Sequence, residues 1–190
     1  MEKEVITAVA LGVGLAASCG FRIFIPLLVA SIAARTGVFP LNESFTWLAS
    51  WPAIISFGTA TLVEIFAYYI PFVDNLLDTI TTPLAIGAGT LLVTSVLPID
   101  QDFLKWITGL IVGGGAAATI QGGSVLTRLA SSKLTAGAGN PVVATGEHAA
   151  AIGSSLLSLV APFLVAVLFF LLIVFILVFL RKRLIKRRTS

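Results

Sequence analysis

Between Ala149 and Leu180 the chain runs for 32 residues without one charged side chain. A soluble domain has no place for such a run. A bilayer does, because its hydrocarbon core of about 30 Å takes about 20 consecutive apolar residues as helix. The backbone must satisfy its own hydrogen bonds in lipid, which restricts a spanning segment of this kind to helix. The run is too long for one straight span, has no turn for two full ones, and carries Pro162. A half-span or bent helix followed by a true span is the expectation.

The pattern recurs along the chain. The 30 residues from Val5 to Ala34 contain one ion, Arg22. As helix they would reach about 45 Å, more than the bilayer core, so the segment must tilt or bend, with a kink near Arg22 ahead of Pro26. A second span is expected from Thr46 to Ile70, with Trp47 and Trp51 near its start and Tyr68 and Tyr69 near its end as aromatic belts. Thr82 to Leu97 and Phe103 to Thr119 supply two more, and residues 121–135 extend the latter. With 57% hydrophobic and 11% charged residues, no soluble domain is expected, and 1–190 reads as one membrane domain. The fold class is all-α, a polytopic helical membrane protein of about five spans with an added half-span or broken helices. Six of the twelve Lys and Arg residues fall between Arg181 and Arg188, so 181–190 reads as a basic cytoplasmic tail under the positive-inside rule. That cluster directly follows a span, which argues against nucleic acid as its partner. Cys19 is the only cysteine, so it forms no intrachain disulfide. Leu15-Ala16-Ala17-Ser18-Cys19 slightly resembles a bacterial lipoprotein cleavage box. Ala16 replaces the usual leucine or valine, however, and the Met1-Glu2-Lys3-Glu4 start lacks a positive region, so a retained first helix is expected.

Small residues mark the contacts. Gly12, Gly14, Ala16, Ala17 and Gly20 suit close helix packing, as does the Gly113-Gly114-Gly115 centre, which must pack backbone on backbone or line a narrow passage. Gly14-x-Ala16-Ala17 and Ala30-Ser31 match Gly114-x-Ala116-Ala117 and Ala130-Ser131 at an offset of 100, a candidate inverted repeat of the kind transporters contain.

Ions inside such segments are costly without a partner, water or a function. Glu64 is the one charge between Thr46 and Ile70. Asp74 and Asp78 are four apart and share a helix face, and Asp78 would fall within about 40° of Glu64 on an unbroken helix. Three carboxylates so placed could bind a cation, relay a proton or hold a divalent metal, for which Asp74 and Asp78 are weak candidates. The plainer alternative pairs Glu64 with Arg22 and leaves the two aspartates at a helix start. An Asp-x-x-x-Asp pair also occurs in metal-dependent lipid-modifying enzymes, but no second acidic motif accompanies it here. His148 is the only histidine, beside Glu147. There is no phosphate loop, dinucleotide fingerprint or nucleophile motif, and no cofactor is expected.

Gly20-x-Arg22 with Pro26, then Glu64, Pro71, Asp74, Asp78 and Pro83, then Gly139-Asn140-Pro141-Val142-Val143 with Glu147 follow an order that resembles a family of small bacterial inner-membrane proteins catalogued only as a domain of unknown function, the four-one-two-six family. The resemblance covers most of the chain and implies a multi-pass inner-membrane protein. It departs at Tyr68 and Tyr69, at Gln121 and Ser124 and at His148, where the family usually carries charged or histidine side chains, while Arg128 is kept. The expected function is a transporter or channel-like protein for an ion or small solute. Its polar core would hold Arg22 and Glu64, with Asp74, Asp78, Gln121, Asn140, Glu147 and His148 completing or flanking it. The alternative is a structural or assembly subunit. Expected partners are the lipid bilayer and either a second copy or a larger membrane complex.

Overall fold

Among residues 2–188, which the computed structural model describes, with backbone alone at 71, 72, 74–76, 78, 180 and 182–188, the chain is helical throughout and has no strand. Helix α1 (Glu2–Ser18) leads through a short break into α2 (Phe24–Arg35). A 3₁₀ turn (Glu43–Ala49) precedes α3 (Trp51–Ala67), and α4 covers Pro71–Thr94. Helix α5 (Asp102–Gly109) continues through a π-helical segment (Leu110–Gly114) into α6 (Gly115–Thr135), followed by α7 (Asn140–Val160) and α8 (Pro162–Arg188). Two stretches are long and apolar enough to cross a membrane, Asp102–Thr135 and Pro162–Phe179. The 3₁₀ turn and α3, bent by 58°, make a third if taken together.

The breaks have local causes. Pro26 does not kink a continuous helix, as the sequence suggested; it sits in the first turn of α2, where a missing N–H costs nothing. The break itself lies at 19–23, where Gly20 meets α6. A Cβ on Gly20 would stand 2.5 Å from Ile120 Cβ and 2.6 Å from the Ala117 carbonyl oxygen, so only glycine lets the chain cross there. Pro52 and Pro71 both stand in the opening turns of their helices. Helix α4 therefore starts well before the apolar stretch from Thr82 and runs through Pro83. Pro162 opens α8 where α7 stops, the bend expected within the long uncharged run.

Helix α1 is the centre of the bundle and packs against α4, α6, α7 and α8. Leu11, Leu15, Leu92 and Val93 lie in its main apolar cluster, while Ala17, Ile120, Val165 and Phe169 join α1, α6 and α8. The glycine centre packs backbone on backbone: a Cβ on Gly89 of α4 would come 2.5 Å from the Gly113 carbonyl oxygen. The exterior is apolar, with Ile55, Val63 and Phe66 on α3, Phe103 and Ile111 near the π segment, and Phe170 and Phe175 on α8 all exposed. Polar groups are inside. That is the arrangement of a helical bundle whose solvent is lipid.

Candidate functional site

Five elements bring polar side chains to one buried locus. Residues 19–23 supply Arg22, α3 and the residue after it Glu64 and Tyr68, α4 Thr81, α6 Gln121, Ser124 and Arg128, and α7 Glu147 and His148. All are at least nine-tenths buried.

Glu64 has a different partner from the one its spacing suggested. Its two oxygens accept the backbone N–H groups of Ile23 and Phe24, at 2.9 and 3.1 Å. Those are the first donors of α2, which no carbonyl of its own helix can reach. The carboxylate of α3 thus caps the N-terminus of another helix, where charge-assisted bonds and the helix dipole both favour it. The direct Arg22–Glu64 pair is corrected accordingly.

Arg22 turns toward α7 instead. Its Nη1 lies 2.9 Å from Glu147 Oε2 and also donates to the Phe21 carbonyl. Nε donates to His148 Nδ1 at 2.6 Å, and Nη2 to the Ala144 carbonyl at 3.4 Å. Accepting at Nδ1 places the proton of a neutral His148 on Nε2. The guanidinium of Arg128 closes the other side, bonding Glu147 Oε2 through Nε and Nη2. One carboxylate oxygen therefore serves two arginines, while among the described residues Glu147 Oε1 has no hydrogen-bond partner.

Tyr68 organises both cations. The Arg22 and Arg128 guanidinium carbons lie 3.8 and 4.1 Å from its ring centroid, within the range where an aromatic face attracts a cation. Its hydroxyl donates to Thr81 Oγ1 at 3.3 Å, and Gln121 Nε2 donates to the same oxygen at 3.1 Å. Tyr68 was expected in an aromatic belt; it is instead 2% exposed, while the neighbouring Tyr69 is 42% exposed with its ring edge-on to His148 at 5.6 Å.

Two grooves end at this locus. One, of about 880 Å³, opens between α6, α7 and α8, with Phe21, Ser124, Gly146, Glu147 and Phe175 among its lining residues. The other, of about 510 Å³, opens between α2, α3 and α4 and is lined by Ile23, Phe24, Glu64 and Thr81 among others. Phe21 and Ile23 belong to different grooves, so Arg22 sits in the partition between them.

Of the residues singled out in the sequence, Arg22, Glu64, Gln121, Glu147 and His148 meet here. Asn140 does not: it exchanges hydrogen bonds with Ser132 at the turn between α6 and α7, about 10 Å of helix from Glu147. The side chains of Asp74 and Asp78, and with them the metal candidates, lie outside the described residues. Arg128, Tyr68 and Thr81 were not among the expected site residues. The spacing of Gln121, Ser124 and Arg128, at i, i+3 and i+7, carried the signal for one of them.

A family model described as "Domain of unknown function (DUF4126)" matches residues 9–182. No curated protein and no solved structure matches the chain.

Proposed function

The chain belongs to the DUF4126 family, and because that membership carries no activity, we propose from the geometry that it is a small membrane transporter or channel-like protein. The observation that carries this reading is the pair of grooves that reach one charge cluster from different sides, with Phe21 on one wall and Ile23 on the other. In this reading passage from groove to groove involves a shift of the non-helical segment around Arg22, which lies between Phe21 of one lining and Ile23 of the other. Irregular backbone at membrane depth that borders a cavity is the construction used for solute and ion sites in transporters.

In this reading the chain crosses a bacterial inner membrane five times. The crossings are the broken α1–α2 unit, the bent 3₁₀–α3 unit, α4, the α5–α6 rod and α8, with α7 as a partial span. The basic C-terminus faces the cytoplasm and the odd number of crossings puts the N-terminus on the opposite side. Purified protein in proteoliposomes should pass a subset of a panel of small solutes and ions, and Glu64→Gln, which loosens the 19–23 segment, should change that flux at least tenfold. No flux from wild type, or equal flux from both proteins, refutes the proposal.

A further inference from the structure

We propose that the groove between α6, α7 and α8 is a binding site for a single-chain amphiphile with a neutral hydroxyl head, its hydroxyl donating to Glu147 Oε1 and its chain lying along α8. This deepens the transport reading by naming what one groove takes, and it rests on that reading for the route though not for the binding.

Two unused polar groups make the case. Among the described residues Glu147 is the only charged one lining the groove, and its Oε1 is buried without a partner. A buried acceptor left unpaired is costly, so a ligand that supplies a donor is favoured there. Ser124, 6% exposed, lines the same groove, and no described residue hydrogen-bonds its hydroxyl. It can give or take one bond to the ligand. The rest of the lining is apolar and aromatic, with Phe21, Leu126, Val143, Leu172, Phe175, Ile176 and Phe179. A volume of about 880 Å³ is in the range of sites that enclose one extended ligand.

The charges choose the head. Arg22 and Arg128 already share Glu147 Oε2, so an ammonium would enter beside two guanidiniums. A carboxylate or phosphate would meet the bare Oε1. A hydroxyl avoids both repulsions, donating to Oε1 and accepting from Ser124.

Gly146 allows a test that leaves the cluster untouched. It lines the groove, and a Cβ added there meets nothing within 4 Å. Gly146→Leu therefore fills the groove while improving helix propensity, and Gly146→Ala is the control that leaves room. The full-length protein in phosphatidylcholine nanodiscs is photolabelled with hexadecanol carrying a diazirine in its chain. Palmitate, hexadecylamine and hexadecane bearing the same diazirine serve as comparisons, and the labelled peptides are mapped by mass spectrometry. Saturable labelling of α6–α8 by the alcohol is expected, competed by plain hexadecanol. It should fall at least tenfold in Gly146→Leu and persist in Gly146→Ala. Alkane labelling equal to the alcohol, stronger labelling by the acid or amine, or an unaffected Gly146→Leu overturns the inference. A parallel flux measurement separates the two readings. Labelling without flux refutes transport alone, and flux without labelling refutes the amphiphile alone.

Discussion

Replacing Glu64 by Gln tests whether this carboxylate is a helix cap or an ion-pair partner. The amide keeps one acceptor oxygen, so one of the N–H groups of Ile23 and Phe24 then faces an NH₂ group. Losing a bond to a charged acceptor, or leaving a buried donor unpaired, costs about 2–3 kcal/mol. The cost falls on the 19–23 segment, since both N–H groups lie at its junction with α2. The chain contains its own reporter there. Cys19 is the sole cysteine and is fully buried, with 0% exposure, so a maleimide reaches it only when the segment opens. With opening in rapid equilibrium, 2–3 kcal/mol corresponds to labelling faster by roughly 30- to 150-fold. A double-mutant cycle sharpens the contrast. Arg22 should couple to Glu147 by more than 1 kcal/mol and to Glu64 only weakly, by less than about 0.5 kcal/mol. Labelling of Glu64→Gln within threefold of wild type would falsify the cap, as would strong Arg22–Glu64 coupling.

Gly89→Ala forces α4 away from the π segment and should destabilise the protein by about 1–3 kcal/mol in detergent thermal unfolding. Gly87→Ala, whose added methyl meets nothing within 4 Å, should be neutral or stabilising, and equal behaviour of the two would contradict the close backbone contact. Tyr68→Phe keeps the ring under both guanidiniums and loses the hydroxyl with its bond to Thr81, costing about 0.5–1.5 kcal/mol. Tyr68→Leu loses the ring as well and should cost a further 1–2 kcal/mol or about that; indistinguishable unfolding midpoints would show that the ring contributes nothing.

The class of fold was legible because lipid imposes it directly. Long uncharged runs and inward small residues leave little choice, and the backbone contact of Gly113 followed from its lack of a side chain. Glu64 was legible as well, since an ion in an apolar run is conspicuous. Its partner was not. Spacing along a chain reports which side chains share a face, but not that a break elsewhere leaves two N–H groups exposed at the same depth. Arg128 was hidden for a related reason. Residues 121–135 are polar enough to read as helix extending into water, yet in this bundle polar faces turn inward and Gln121, Ser124 and Arg128 line one. Tyr68 and Tyr69 are adjacent, and composition treats them alike; the end of α3 sends one inward and the other out.

Helix α8 has a mechanical consequence of its own. Val165 and Phe169, with Ile173 and Ile176 beside them, hold it against α1 and α6, and Leu177, Val178 and Phe179 are exposed. It starts at the break around Ala161 and forms one wall of the larger groove. Phe179 stands 17 residues beyond Pro162, about 26 Å along the axis, so a 10° change in tilt carries it about 4 Å. Helices tilt to match the thickness of the bilayer around them. A tilt of α8 matched to bilayer thickness would therefore change the width of that groove with lipid chain length.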